Sequence, residues 1–385
     1  MRVSWVLCVL GCVVLPLPPA VAQNLDAEFE THTQRGINEV YNLDFENAEN
    51  EFRRLVVLRP KHPAGPFFLA MVQWWKIQTD LDNDQYDDQF HDALDGVIAL
   101  CDEMLEHNQN DVTALFFKGG SIGFQGRLET HRSQWLAAAN AGRKALPIVQ
   151  EAASLDPNNY DIQLGMGIYN YYAEIVPREY PFVKPLMVFV PPGDRQKGIE
   201  QLRLAAEKGK YASVEASYFL MQLYYQFEKN YPLALEIATR LHERFPNNML
   251  FHKYLGRCYV SLAEWSQVAE VFREISSRAQ QGQRGYTPAT EREAAYYLGL
   301  CAMNDRRYDE ALKHLYRCDD LSRAVDKGEV SGFMVMANLK VGNIYDAQSK
   351  RSLAVQQYQK VLDMKEYMGS YKTAEQYLKT PFVRY

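Results

Sequence analysis

The chain has 385 residues, 47% hydrophobic and 23% charged, enough to bury a large core and too apolar for a disordered protein. A net charge of −6 and the lack of a long Lys/Arg run argue against a surface for nucleic-acid phosphates. Six cysteines form no CxxC pair, which argues against a zinc ribbon or a thioredoxin-like site.

The N-terminus sets the expected compartment. Met1-Arg2 supplies one positive charge, Val3 to Leu17 is almost unbroken apolar sequence, and Ala20-Val21-Ala22 offers the small residues a signal peptidase reads. Residues 1–22 therefore read as a signal peptide cleaved before Gln23, and the mature chain as exported, to a periplasm or cell envelope. The apolar run is short for a membrane span. Val9-Leu10-Gly11-Cys12 resembles a lipidation box, but the apolar run continues beyond it, whereas an anchored chain needs its acylated Cys at the mature N-terminus. Membrane association is the weaker alternative. The four remaining cysteines, Cys101, Cys258, Cys301 and Cys318, fall in helix interiors and read as buried thiols.

In chain order, Gly36, Ala48, Phe52 and Pro60 mark a first helical pair. A helix carrying Trp74-Trp75 follows, then the loop Asp80-Leu-Asp82-Asn-Asp84-Gln-Tyr-Asp87-Asp88. Asp80, Asp82, Asp84 and Asp88 are candidate calcium ligands, but Gln85 stands where an EF-hand needs Gly and His91 where it needs a bidentate Glu. The plainer reading is a solvated loop whose Asp residues cap the helix starting near Phe90. Gly119, Gly120, Gly123 and Gly126 precede a long helix expected from about Thr130 to Leu155. They include Gly119-Gly120-Ser121-Ile122-Gly123, formally a nucleophile elbow, but one in a helical context where glycines for helix contact explain it better. Ala145, Val149, Ala152 and Pro157 end that unit, and Leu164-Gly165, with Gly198, Leu202 and Ala205, forms the next around an insertion. The insertion, residues 174–194, carries five prolines among strongly apolar residues, which excludes a regular helix and requires that it cover something.

Met221, Tyr225, Ala234, Ala238, Leu241 and Pro246 mark a further unit, with Gln222 where a small residue is expected, so its helices should cross less closely. Three clear copies follow. They are Leu255-Gly256-x-x-Tyr259 with Trp265, Val268, Phe272 and Ile275; Leu298-Gly299 with Tyr308, Ala311, Leu315 and Cys318; and Val341-Gly342-x-x-Tyr345 with Ala354, Tyr358 and Val361. This pattern resembles the tetratricopeptide (TPR) repeat, a unit of about 34 residues with Leu-Gly-x-x-Tyr, Ala-x-x-x-Phe and late Pro positions. An aromatic just before the second helix in four copies, Phe45, Tyr231, Trp265 and Tyr308, supports the frame. The resemblance covers nearly all of the mature chain. It implies an all-α, right-handed superhelical solenoid of seven or eight antiparallel helix pairs over residues 23–368, with residues 369–385 as a capping segment.

The resemblance also implies a concave wall bearing Met166, Tyr169, Asn170, Phe219, Leu223, Gln226, Arg257 and Asn343. With Tyr180, Phe182 and Phe189 of the insertion, these are the candidate partner-binding residues, and the partner a protein or an extended peptide. No basic clamp for a C-terminal carboxylate is present. HExxH, P-loop and complete GxGxxG motifs are absent, so neither a metal nor a cofactor is expected. The expected function is a non-enzymatic protein-binding scaffold. The alternatives are a structural envelope protein whose groove is filled by its own insertion, and a hydrolase concealed on a helical-repeat fold.

Overall fold

The computed structural model describes residues 19–328 and 330–383, without the side chains of residues 19–23, Leu186, Val188 and Phe189. Eight helix pairs build it: α1 (Pro19–Tyr41) with α2 (Phe45–Leu58), α3 (Ala64–Thr79) with α4 (Asp87–His107), α5 (Val112–His131) with α6 (Trp135–Leu155), and α7 (Ile162–Glu179) with α8 (Arg195–Lys208). Then come α9 (Ser213–Gln226) with α10 (Tyr231–Arg244), α11 (Met249–Ser261) with α12 (Trp265–Gln280), α13 (Pro288–Asn304) with α14 (Tyr308–Val325), and α15 (Gly332–Ala347) with α16 (Arg351–Leu362). Helix α17 (Ser370–Lys379) packs on α15 and α16 at the end of the stack. Each helix packs on the next, and no strand occurs among the described residues. This is a TPR-like, all-helical solenoid. The signal-peptide reading falls largely on residues 1–18, outside the described residues; α1 begins at Pro19.

Small residues explain why the helices of a pair cross closely. Nine positions before the second helix stand Gly36, Gly126, Gly256, Gly299 and Gly342. A Cβ at Gly36 would lie 2.3 Å from Phe52, at Gly299 2.7 Å from Leu315, and at Gly342 2.5 Å from Tyr358. Helices α3 and α9 instead carry Gln78 and Gln222 at this position. In the α7–α8 pair the mating residues are Gly167 and Gly198, whose backbones touch, whereas Gly165 faces Val149 of the preceding pair. Of the four glycines in α5, Gly119 and Gly126 receive close neighbours from α6, while Gly123 faces open space.

The turn between paired helices is a second repeated device. Two residues before the second helix, Leu43, Ser133, Lys229, Ala263, Arg306 and Ser349 all adopt positive φ, between 53° and 61°. This left-handed residue lets two helices reverse direction in a very short connection. It also corrects the expected helix from Thr130 to Leu155. The chain breaks there at Ser133, and Trp135 becomes a fifth aromatic opening a second helix. Thr-His-Arg-Ser-Gln-Trp carries no Gly or Pro to announce the break.

The superhelix closes on itself. Trp75 of α3 packs against Tyr41 (centroids 5.0 Å apart), Tyr218 of α9 (5.6 Å) and Phe251 of α11 (5.8 Å). Asn248, which caps α11, donates to the carbonyl of Tyr41 at 2.8 Å, and Arg284 donates to that of Leu43 at 3.0 Å. One continuous core therefore reaches from Phe29 in α1 to Cys301 in α13, while α13–α17 pack in further clusters. The inner bore of the first turn is filled by aromatic side chains of the chain itself.

Candidate functional site

A charge pair pins the closed bore. Glu215 of α9 is buried, accepts from the Tyr41 hydroxyl at 3.1 Å, and pairs with Arg127 of α5. The Arg127 guanidinium lies over Phe219 (4.2 Å) and Trp74 (4.6 Å), so its charge is met by ring faces as well as by a carboxylate. Beyond the pin, Glu293 of α13 pairs with Arg257 at 2.5 Å and with Lys253 at 4.0 Å. Burial works against the Glu293 charge, but the cations Arg257, Lys253 and Arg292 outweigh it and hold its pKa below the usual carboxylate range. Burial depresses the Lys253 pKa.

This arrangement relocates most of the expected concave wall. Phe219 and Leu223 are core residues, buried beside α1–α5 instead of facing an open groove. Arg257 is taken up by Glu293, and Asn343 is buried, accepting from the Tyr358 hydroxyl at 3.2 Å. Met166 packs beside the cluster of Leu115, Ala152 and Ile162. Gln226 is exposed and donates to the Tyr254 hydroxyl at 2.8 Å. Tyr169 donates to the Pro191 carbonyl at 2.6 Å, and Asn170 donates to Gln201 at 2.7 Å while its carbonyl abuts Gly193. Tyr169 and Asn170 thus hold the return of the insertion against α7 and α8.

The insertion is more regular than its prolines imply. Helix α7 runs through Pro177 to Glu179, and Pro181–Phe189 coils as a 3₁₀ helix, whose tighter turn accepts Pro at its first position and at Pro185. It does not enter the bore; it rests on α6 and α7. Val183 is buried, whereas Tyr180 is 40% and Phe182 62% exposed. Both rings meet Trp135 of α6, at 5.8 and 5.6 Å, beside Leu136, which is 68% exposed. The side chain of Phe189 lies outside the described residues. Tyr180, Phe182 and Leu136, exposed about the half-buried Trp135, form an apolar tip. Sequence reading supplied only its insertion half, although the aromatic position before each second helix pointed to Trp135.

The acidic loop has an occupant of its own. Arg132 bonds the Asp87 carboxylate at 2.5 and 2.9 Å and the Asn83 carbonyl at 3.1 Å, and also reaches the Leu81 carbonyl. A guanidinium thus takes oxygens that a calcium ion would need, and its hydrogen bonds to the Asp87 carboxylate, with Asp84 and Asp82 beside it, raise the Arg132 pKa. Asp80, Asp82, Asp84 and Asp88 do not converge, and no group of three or more His, Cys, Asp or Glu among the described residues is placed to hold a metal. The capping expectation also fails, because α4 starts after Tyr86 without a side-chain cap. Ser121 is buried inside α5, a helix and not a strand–turn–helix corner. Cys101, Cys258, Cys301 and Cys318 are free and buried, and burial pushes the Cys101 thiol up to about 12.

No family model matches the chain, and no curated protein matches it either. Among solved structures it is similar to human IFIT1, described as a dimer with m7Gppp-AAAA, with a TM-score of 0.44 and 14% identity over 92% of this chain and 85% of that one. It is also similar to yeast Tom70, with a TM-score of 0.39 and 10% identity over 94% of this chain and 90% of that one.

Proposed function

We propose that the chain is an exported, non-enzymatic scaffold of a cell envelope that binds a protein partner through the exposed tip of its Pro-rich insertion. One observation carries this reading: Tyr180 and Phe182 stay exposed against the half-buried Trp135, beside the exposed Leu136, and among the described aromatic side chains only Tyr367 is comparably exposed. An apolar, aromatic tip costs solubility unless something covers it, and rigid rings of this kind are common anchors of protein interfaces. The partner segment would present apolar side chains to these rings.

A photo-crosslinking residue at Phe182, compared with one at Val57 on α2 (73% exposed), tests the proposal in the native host. The expected result is a discrete protein adduct at 182 that is absent at 57 and is lost with Tyr180→Ser and Leu136→Ser. The same purified material should begin at Gln23 by N-terminal sequencing. No adduct, or an equal one at both positions, would leave the second reading, a structural envelope protein with a self-filled groove. The filled bore favours that second reading, although the filling comes from Trp75, Tyr218 and Phe251 and not from the insertion.

A further inference from the structure

A second surface lies on α8, α9 and α10, away from the tip. Between α8 and α10 runs a half-open groove of about 500 Å3, with Val214, Leu220, Ile237 and Leu241 in its floor. Three guanidiniums stand on its rim, Arg203, Arg240 and Arg244, against two carboxylates, Glu207 and Glu236. Arg240 and Glu236 pair with each other at 3.5 Å in an exposed i,i+4 contact. Arg203 and Arg244 meet only neutral partners: Arg203 donates to the Tyr224 hydroxyl at 3.1 Å and Arg244 to the Asn38 amide oxygen at 3.2 Å.

In another cleft, of about 290 Å3 beside α1, both cations are neutralised from within, Arg59 by Asp26 and Lys210 by Glu30. There Asp161 accepts the amides of Tyr211 and Ala212, each at 2.9 Å. The larger groove keeps two arginines that no carboxylate pairs, Arg203 over the Tyr224 ring at 5.9 Å and Arg244 over the Phe245 ring at 4.9 Å, beside an apolar floor. Apolar floor and cationic rim together are the complement of an amphipathic helix with carboxylates on its flanks.

From this we infer that the α8–α10 groove docks an acidic amphipathic helix of a partner protein, with apolar side chains on the floor and carboxylates on Arg203 and Arg244. This goes beyond the proposed function, since neither the exposed tip nor its partner enters it. The test uses a displayed library of 14-residue helical peptides, the length of α9 and of α10, with leucines fixed at heptad spacing and the flanks randomised. Selection on the wild type should enrich Asp and Glu in the flanks, and selection on the Arg203→Glu/Arg244→Glu variant should enrich Lys and Arg. A selected acidic peptide should bind the variant about tenfold more weakly, the size expected of two exposed charge pairs. Circular dichroism melting shows whether the variant is folded, and Arg203→Gln/Arg244→Gln serves as the milder change. Equal flanks from both selections, or no enrichment at all, overturns the inference. So does binding of phosphatidylglycerol vesicles that depends on the same arginines while peptides fail.

Discussion

Replacing Glu215 with alanine tests the pin that closes the bore. The substitution leaves Arg127, with 14% of its side chain exposed, without a carboxylate, and it strands the Tyr41 hydroxyl in the core. Removing one partner of a buried pair costs about 3–5 kcal/mol, and the partial exposure of Arg127 and its two ring contacts point to the lower end. With an unfolding entropy of about 2.1 cal/mol/K per residue, a chain of this length gains about 0.8 kcal/mol/K, so 3 kcal/mol lowers Tm by roughly 4 °C. Differential scanning calorimetry of wild type, Glu215→Ala, Arg127→Ala and the double variant reads both the loss and the coupling. The double variant should lose clearly less than the sum of the singles, by about 1 kcal/mol or more. Glu236→Ala, which removes an exposed i,i+4 pair, should change stability by no more than about 0.5 kcal/mol. If Glu215→Ala behaves like Glu236→Ala, or the two single losses add, the bore is not closed by this contact and the reasoning is refuted.

Other expectations bear on different parts of the fold. At Gly198 a Cβ would stand 2.6 Å from the Tyr171 amide nitrogen and 2.9 Å from the Gly167 carbonyl, backbone atoms that cannot swing aside. Gly198→Ala should therefore cost about 3 kcal/mol in urea unfolding. Lys229 is exposed at φ 53°, so Lys229→Gly should stabilise by about 0.5–1 kcal/mol and raise Tm; a fall in Tm would contradict the assigned turn. Burial lowers the His252 pKa from 6.5 to about 3, with His242 and Arg278 adding to the shift. The unfolded chain binds the proton more readily, so this stability is complete above pH 6.5 and is lost as pH falls toward 3. The loss at pH 5 is about 2 kcal/mol. Comparing Tm at pH 7.5 and 5.0, His252→Gln should lose less than wild type, with Tyr286 and Glu274 unchanged beside it.

The repeat was legible because it is local. Gly256, Gly299 and Gly342 and the packing residues sixteen positions on sit within one helix pair, so spacing alone exposes them. Helix α3 escaped the frame because Gln78 stands in its small-residue position, and the Ser133 break escaped it because a left-handed Ser leaves no mark in composition. The closed bore was not legible at all. Tyr41 and Glu215 are 174 positions apart, and Tyr224-Tyr225 or Trp74-Trp75 look the same in sequence whether they line a groove or fill one. That is why Phe219 and Leu223 read as surface and proved to be core. The acidic loop misled for a related reason, since its cation, Arg132, comes from the far end of the next pair's first helix. The apolar insertion was visible, but its fit against Trp135 depends on packing between α6 and the 3₁₀ helix.

The most direct measurement of the closed superhelix is a zero-length cross-link. Lys210, before α9, lies 2.5 Å from Glu30 of α1, 180 positions away and partly exposed, so carbodiimide should join them within one chain of the purified protein. Lys76 and Glu49, 2.8 Å apart on neighbouring helices, provide the internal reference. The closed fold predicts both linked peptides by mass spectrometry. Linkage of Lys76 to Glu49 without any of Lys210 to Glu30 would mean that the stack stays open.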